Sequence, residues 1–600
     1  MLSQLQIADW IVLIILLLFM FGSSFLPAFK KKNAEEYFMA DRSLRWWSVA
    51  GSIYGTNVSL QQIIGMLGIG YSIGFAQSHY EVLAIPAILL LIYVFVPIYR
   101  QKNFFTLSQF LEYRYNEWAR LIYTLLIIFI IVLLVIGGFY IGSRQLGLIF
   151  TGTNFTISYG VGILIIAFMA IIFVMFGGME SVVIAENIQT ILMVIASILV
   201  GVLAFSQPEI KGFFGLLKLD ASMPIAAQKM HLYLPSNHPK LPWTGVFSGL
   251  LVLHSFFWTS NQFEVQRVMA AKTDRDAKIG AAVAGILKLT IPFFTIAAGV
   301  SATYIFRKRF GLENIQPDDA FLKLMDTVVP KGYGLVGLIL AGFTAAIFSS
   351  IYSMLNSATT LLSMDIYKKY IHKTASDKQI VWFGRVMVIV LCLIAGVLAF
   401  TTFDPKGSGN FFLTLSANTS YFKPGIVAVF FLGVFWKKAH PRAAVVILLI
   451  SPLISLGVEI LYNNFLNTFP IIVNNFGEQM NFFHRVFVSA VICFIIMIAL
   501  SKYFNKTHPF TNTLNFDINI AAIGKRILFF LLAHLPLVIL AVTGLVKPQL
   551  LSWPAAFITF AFFLYYHSKN NSQKISFFKS EHLITGLLSF TAIWILYFFA

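Results

Sequence analysis

Long apolar segments, separated by short polar loops, occupy most of the chain. About sixteen of them approach the 20 residues that an α-helix needs to cross the hydrocarbon core of a bilayer. The first covers residues 7–29, and the last ends at Ala600. The short alternation of apolar and polar residues that marks a membrane β-barrel does not occur in the sequence. The pattern predicts an all-α, multi-pass membrane protein with about 16 transmembrane helices.

Two of the apolar segments, 46–71 and 243–271, contain clusters of polar residues at membrane depth. The first cluster consists of Thr56, Asn57, Ser59, Gln61 and Gln62. The second consists of His254, Ser255, Thr259, Ser260, Asn261, Gln262 and Glu264. Unwound backbone at this depth is tolerated only where it lines a cavity or is buried in protein. Both segments are therefore predicted to be interrupted helices.

The two interrupted segments hold corresponding positions in two successive sets of five predicted helices. The first set covers residues 46–205, and the second covers 243–436. One extra helix within 1–35 precedes the sets, and accessory helices within 440–600 follow them. Interrupted helices in matching positions of two repeats are the best indication in a sequence of a transport site at the bilayer midplane. The organisation of the chain predicts such a site.

A further segment, 331–370, begins as an apolar helix and then carries hydroxyl groups at membrane depth. They belong to Thr344, Ser349, Ser350, Ser353 and Ser357. Because Ser349 and Ser350 are adjacent and the carbonyl of Ala346 lies one turn earlier, these groups can offer oxygen ligands to a small monovalent cation. The alternative is that each hydroxyl bonds to the carbonyl one turn back, as is common in membrane helices. The adjacent pair, taken with the broken helices, favours an ion site.

Four charged residues, Glu81, Glu186, Glu264 and Lys288, fall in or near the apolar segments. An ionisable group at the centre of a membrane helix costs at least about 2.5–3.5 kcal/mol, so such groups usually have a function. The alternative is a charge at a helix end that reaches the interface, which we favour for Glu264. A carboxylate, an ammonium and an amide such as that of Gln62 around one cavity suit a polyhydroxylated solute, because each hydroxyl both donates and accepts hydrogen bonds.

Aromatic side chains near these groups offer surfaces that can stack on a solute or close its cavity. They are Tyr80, Phe256, Phe257, Trp258 and Phe412. The alternative for any one of them is a lipid-facing or core position, because the chain contains 61 Phe residues.

The composition and the distribution of charge support a membrane protein and give its orientation. The chain is 58% hydrophobic and 11% charged, and its mean hydropathy of +0.81 lies far outside the soluble range. The net charge of +18 does not indicate nucleic-acid binding, because the basic residues lie mostly in short loops on one side. Lys30, Lys31 and Lys32 follow the first apolar segment instead of preceding it, which predicts an uncleaved helix. We expect a multi-pass protein of the inner (plasma) membrane with both termini outside.

Several stretches of the sequence resemble, in the same order, the sodium:solute symporter family and its sodium/glucose cotransporter branch. They are EYFMADRSLRWW at 36–47, GYSIG at 70–74, FGGMES at 176–181, NQFEVQRVMAAK at 261–272, SMLNSATTLLSMDIYKKY at 353–370 and PGIVAVFFLGVFWKK at 424–438. The resemblance covers about residues 7–546, and the last two predicted spans, 551–567 and 581–600, are additions to the usual helices of the family.

The resemblance implies a LeuT-like fold of 5+5 inverted repeats and a bound sodium ion. The implied sodium ligands are the carbonyls of Gly55, Val58 and Ala346 and the hydroxyls of Ser349 and Ser350. A second sodium site in some relatives uses the position of Ser353 and an Asp, and this chain has Glu186 at the position of that Asp. Whether one or two sodium ions move in each cycle is therefore open.

The resemblance also implies a set of solute-binding and gate residues. Gln62, Glu81 and Lys288 agree with the galactose-transporting members of the family, whereas His254 replaces an Asn and Ser416 replaces a Gln. The gate positions are Met66, Tyr80 and Phe412, which agree with those members, and Phe257, which replaces a Tyr. Trp258 is added as a solute contact because of its aromatic surface. Compared with the galactose-transporting members, the residues of the ion site are retained and some residues of the solute pocket differ.

The sequence thus predicts a sodium-coupled symporter that imports a hexose, a polyol or a sugar acid by alternating access. The alternatives are a sodium-coupled symporter of sialic acid, a carboxylate or an amino acid, and a membrane receptor that senses a solute. An enzyme is not expected, because the sequence has no nucleophile–base spacing, metal-ligand cluster or Gly-rich phosphate loop. The expected partners are the solute, sodium and the lipid bilayer, without nucleic acid or an obligate protein partner.

Overall fold

The computed structural model describes residues 5–26, 33–150, 156–311, 315–404, 410–510, 520–570 and 580–600. The regular elements of these residues are helices, apart from one isolated bridge between Leu44 and Ala271. The predicted all-α class is confirmed. The basic residues Lys30, Lys31 and Lys32, on which part of the predicted orientation rests, lie outside the described residues.

The first group of long helices runs to residue 205. It comprises α1 (Ile7–Phe25), α2 (Trp46–Asn57), α3 (Leu60–Ser72), α4 (Phe75–Gln101), α5 (Glu117–Phe150) and α6 (Tyr159–Phe205). The second group comprises α7 (243–260), α8 (Gln262–Met269), α9 (Asp274–Phe310), α10 (Leu335–Ile371), α11 (Asp377–Thr402), α12 (Phe411–Thr419) and α13 (Lys423–Phe435). The C-terminal group comprises α14 (Pro441–Asn464), α15 (Phe482–Thr507), α16 (Ile520–Val542), α17 (Pro548–Asn570) and α18 (Glu581–Phe598).

Both predicted interruptions occur in the structure. Between α2 and α3, Val58 leaves the helical conformation with φ −86° and ψ 75°, and the Ser59 side chain accepts a hydrogen bond from the N–H of Gln62 at the start of α3. Between α7 and α8, Asn261 is extended with φ −103° and ψ 119°. At the first break, the Ser59 hydroxyl competes with the helix for the backbone N–H of Gln62.

The long helix α6 is divided by Gly178, which has φ +60°. A Cβ atom at this position would lie 2.6 Å from the carbonyl oxygen of Tyr37, so only glycine fits. The break separates α6 into two helical parts.

The helix α10 occupies the centre of the bundle. It packs against α1, α2, α5, α6, α8 and α11, and most of its side chains are buried. The helix α16, in contrast, exposes nearly all of its apolar side chains, as expected for a helix that faces lipid. The Ser353 hydroxyl of α10 lies 3.0 Å from the Thr56 hydroxyl, next to the break between α2 and α3.

The predicted count of about sixteen spans is not confirmed. Twelve helices in the described residues are long and apolar enough to cross a membrane. The segments α2–α3, α7–α8 and α12–α13 are each divided into shorter helices, and none of these shorter helices is among the twelve. The division into sets at 46–205 and 243–436 stays a prediction.

Candidate functional site

A cavity of about 150 Å³ lies between α3, α7, α9 and the α12–α13 segment. Its wall contains eight of the residues predicted from the sequence, namely Gln62, Tyr80, His254, Phe257, Trp258, Lys288, Phe412 and Ser416. Both helix breaks contribute to it through Asn57, Ser59 and Asn261. The cavity therefore lies where the interrupted helices meet, as the sequence predicts.

One side of the cavity is built from a connected group of charged and amide side chains. The Lys288 ammonium lies 2.6 Å from a carboxylate oxygen of Glu81 and donates to Oδ1 of Asn57 at 2.5 Å. The Gln62 amide donates to the other Glu81 oxygen at 2.8 Å. The side chains of Glu81 and Lys288 are 0% and 3% exposed, so their charges are matched inside the protein and not by water. This group can exchange hydrogen bonds with several hydroxyls of a solute.

The α7 part of the wall carries two buried polar atoms that have no hydrogen-bond partner in the described part of the chain. They are Nε2 of His254 and Nε1 of Trp258. The Lys288 ammonium lies 6.0 Å from the centre of the Trp258 ring. Because a buried polar group without a partner is costly, these two atoms are suited to bind a polar solute.

Aromatic side chains pack above the polar groups. The rings of Tyr80 and Phe412 are 5.4 Å apart, and the Tyr80 ring is 6.3 Å from that of His254. The Phe257 ring packs elsewhere on the wall, against Trp258 and Phe263. Phe257 has no hydroxyl group to offer to Asn57. The side-chain oxygen of Asn57 accepts a hydrogen bond from Lys288. Tyr80 and Phe412 thus lie side by side on the cavity wall.

The break after α2 frees two backbone carbonyls. The N–H of Ser59, which would normally bond to the carbonyl of Gly55, donates to the carbonyl of Asn57 at 3.0 Å. The N–H of Gln62, the usual partner of the Val58 carbonyl, donates to the Ser59 hydroxyl at 3.2 Å. Gly55 packs so closely on α6 that a Cβ would lie 2.8 Å from a backbone oxygen. Both carbonyls are therefore available as cation ligands.

The hydroxyl of Ser350 on α10 is suited to complete this set. Its side chain is 4% exposed, and its oxygen has no hydrogen-bond partner among the residues that the structure covers. It does not bond to the carbonyl one turn back, so the simple alternative for this serine is excluded. Ala346 is buried one turn earlier, whereas the side chain of Ser349 lies outside the described residues. Unpaired hard oxygens at a helix break fit a sodium ion.

The carboxylate of Glu186 is fully engaged by the protein. It accepts hydrogen bonds from Ser52 and from Thr56 at 2.6 Å, and Arg267 pairs with it at 3.1 Å. The Ser353 hydroxyl contacts Thr56 at 3.0 Å and accepts from Arg267. The proposed second sodium position thus already contains the positive charge of a guanidinium group.

The expectation that Glu264 reaches the membrane interface is wrong. Its residue is 2% exposed, because α8 begins after the break at Asn261 and directs this turn into the bundle. The signal in the sequence was the break itself, because it places the first turn of α8, which includes Glu264, inside the bundle and not at a membrane interface.

Comparison with known proteins identifies the family. The sequence model of the sodium:solute symporter family matches residues 37–451, which is more than half of the chain. The chain belongs to the sodium:solute symporter family. One relative is a sodium/glucose cotransporter of Vibrio parahaemolyticus. It is 33% identical to this chain over 439 residues, which cover 69% of this chain and 78% of the relative. A sodium/myo-inositol cotransporter 2 of Homo sapiens is 26% identical over 73% of this chain and 68% of the relative.

The fold of this sodium:solute symporter family member is shared with a solved structure. A sodium-coupled sialic acid symporter, in a substrate-bound outward-open state, superposes with a TM-score of 0.71 at 21% sequence identity. The match covers 85% of this chain and all of that one. The predicted LeuT-like fold class is confirmed by this likeness.

Two of the predicted solute-binding and gate residues of this symporter-family chain, Met66 and Glu81, do not lie on the cavity wall. Met66 is buried within α3 and accepts a hydrogen bond from Gln77 at 3.0 Å. Glu81 lies behind the wall and acts through Gln62 and Lys288.

Lys423 is one of several wall residues that are absent from the residues predicted from the sequence. It directly precedes the apolar run 424–435 and resembles a charge that flanks a span. In the structure, α12 comes directly before it, so Lys423 lies inside a helical segment and lines the cavity.

Proposed function

We propose that this chain is a sodium-coupled symporter, and not an enzyme, that imports a sugar or sugar-like solute by alternating access. A single observation carries the proposal: a polar cavity lies at a helix break next to α10. This break frees the backbone carbonyls of Gly55 and Val58. The family membership and the names of its sugar and inositol cotransporter relatives support the same function.

The proposed solute site consists of the cavity and the residues behind it. Gln62, Glu81 and Lys288 bind hydroxyls, His254, Trp258 and Ser416 complete the wall, and Tyr80 and Phe412 close it. A water needs roughly 10–15 Å³ of such space, so a cavity of about 150 Å³ holds about ten to fifteen waters. A hexose has about as many non-hydrogen atoms, so the size fits a monosaccharide or a cyclic polyol.

The proposed sodium site couples the two helix sets. Sodium at Gly55, Val58, Ala346, Ser349 and Ser350 joins the break in the first set to α10 in the second, and this favours the outward-open state. Because Arg267 already balances Glu186, we propose one sodium ion in each cycle. One charge across 100 mV contributes about 2.3 kcal/mol and a tenfold gradient adds about 1.4 kcal/mol, so one sodium supports roughly 500-fold accumulation of a neutral solute. A solute with one negative charge cancels the charge of the sodium, so only the gradient term, about tenfold, then remains.

Uptake into proteoliposomes tests the function. The purified full chain is reconstituted with an inward sodium gradient and offered labelled glucose, galactose, myo-inositol, glucuronate, sialic acid and proline. We expect a sugar-like or polyol solute of this panel to accumulate inside the proteoliposomes. The accumulation is expected to be lost when potassium replaces sodium. Accumulation of proline alone, or uptake that is indifferent to sodium, would contradict the proposal.

A further inference from the structure

The cavity wall carries two lysines, and their surroundings differ. Lys288 is balanced by Glu81 at 2.6 Å. The Lys423 ammonium donates to the hydroxyl of Thr419 at 2.9 Å and lies 5.7 Å from the centre of the Phe256 ring. Among the described residues, no carboxylate lies within 4.0 Å of Lys423. One of the two positive charges on the wall therefore has no negative partner.

The carboxylates near this side of the cavity are already used. Glu459 is paired with Arg485 and accepts a hydrogen bond from Tyr421. The same Arg485 donates to the Ala417 carbonyl and the Ser420 hydroxyl, both at 2.8 Å. This part of the α12–α13 segment thus has an excess of positive charge, and the wall of the cavity in the described structure contains no Asp or Glu.

The position of Lys423 directs its charge at the solute. Ser416, Thr419 and Lys423 all line the cavity, as expected for residues three and four positions apart on one helical face. The cavity wall therefore combines Gln62 and Lys288, which are suited to bind hydroxyls and have Glu81 behind them, with the additional ammonium of Lys423.

An ammonium group in a low-dielectric site is costly unless a negative group binds it. We propose that Lys423 pairs with a carboxylate of the transported solute, so that the substrate is a sugar acid of the uronate type and not a neutral sugar. This inference rests on the proposed symport and names its substrate class. The hydroxyls of the sugar ring meet Gln62 and Lys288, and the carboxylate meets Lys423 and Thr419.

Glucose and glucuronate form a matched pair of probes, because they differ only in the carboxylate at the sixth carbon. We measure sodium-driven uptake of both, and the competition of each with the other, in proteoliposomes of the wild-type chain. The proposal predicts at least a tenfold preference for glucuronate. This comparison needs no variant, so it does not depend on the folding of one.

Variants then assign the preference to Lys423. Lys423→Gln is expected to lose at least tenfold in glucuronate affinity relative to glucose affinity, and Lys423→Arg, which always keeps the charge, is expected to retain the preference. Lys323→Gln is the control, because Lys323 also lies over an aromatic ring, Phe310 at 4.2 Å, but is not a wall residue.

The outcomes separate this inference from the proposed function. Sodium-driven uptake of glucose in preference to glucuronate, or a preference that survives in Lys423→Gln, overturns the assignment of a sugar acid and leaves the symport intact. Failure of the whole solute panel to show sodium-driven uptake overturns both. Uptake of glucuronate that is equally lost in the Lys323→Gln control also overturns the role of Lys423, because the loss is then not specific to the wall.

Discussion

At the scale of single residues, the account depends on polar atoms that the protein itself leaves without partners. The Ser350 hydroxyl and the carbonyls of Gly55 and Val58 are buried oxygens that their own helices do not bind. The Lys288 ammonium, by contrast, is bound on two sides. The three oxygens are suited to bind a cation, and the Lys288 ammonium is suited to bind a solute. Each assignment can be tested by substitution.

Ser350→Ala is expected to weaken sodium binding on the order of tenfold, because one oxygen ligand is lost while the backbone is unchanged. The measurement is the sodium concentration that gives half-maximal uptake. Ser363→Ala is the matched control, because Ser363 is a buried serine on the same helix α10 whose hydroxyl also has no described partner. Equal sodium affinity in the Ser350 variant and the control would refute the site.

Lys288→Met is expected to lower the free energy of unfolding by about 3–5 kcal/mol, because it leaves the Glu81 carboxylate buried and unpaired. The double variant Glu81→Gln with Lys288→Met is expected to recover most of this loss, because both charges are then absent. Equilibrium unfolding in mixed micelles measures the two differences. Solute binding is expected to be weak in both variants, and a stable Lys288→Met that still binds solute would remove the pair from the site.

At the scale of the helices, the breaks in α2–α3 and α7–α8 and the central helix α10 form the functional core. Glu186 on α6 connects this core, since it binds Ser52 and Thr56 on α2 and Arg267 on α8. Removing Arg267 or Glu186 alone would leave the other charge buried and unpaired. The ion pair therefore connects α6 to α8 and also neutralises the two charges.

The sodium dependence of uptake follows from this connection. With Arg267 in place beside Glu186, the rate of uptake is expected to rise hyperbolically with sodium concentration, as for one ion in each cycle. A sigmoidal rise with a Hill coefficient near two would instead assign a second sodium to Glu186 and Ser353. Replacing Glu186 with Gln in the same assay shows whether any cooperativity depends on that carboxylate.

The sequence was sufficient to predict the breaks but not every wall residue. Polar residues at membrane depth mark Asn57 and Asn261, because lipid does not tolerate them in a regular exposed helix. The sequence could not show that Lys423 faces the cavity, because that depends on how α12 and α13 join. It also could not show the burial of Glu264, because the direction of α8 after the break is set by tertiary packing.

At the scale of the whole molecule, the protein combines a buried transport core with added helices at its C-terminal end. The last helix, α18, packs against α17 and α9, and Tyr93 on α4 hydrogen-bonds to Thr585 at 2.8 Å and lies 3.1 Å from Nδ1 of His582. The added helices thus contact helices that surround the cavity, and they are part of the folded bundle.

The orientation of the chain is a prediction at the same scale. The basic loops predict both termini outside, so an epitope tag after Ala600 is expected to be accessible on intact cells or spheroplasts. A tag in the loop after α10, at residues 372–376, is the control and is expected to be accessible only after permeabilisation. The reverse pattern of accessibility would contradict the predicted orientation.

The coupling between solute and sodium is tested most directly by running the transporter with the solute as the driving force. Proteoliposomes start with equal labelled sodium on both sides, and potassium with valinomycin holds the membrane potential at zero. An inward gradient of glucose, myo-inositol and glucuronate is then imposed. Coupled symport through the cavity and the Gly55–Ser350 site predicts net sodium uptake above equilibrium, which Ser350→Ala reduces. Entry of solute with no change in the distribution of sodium would contradict the account.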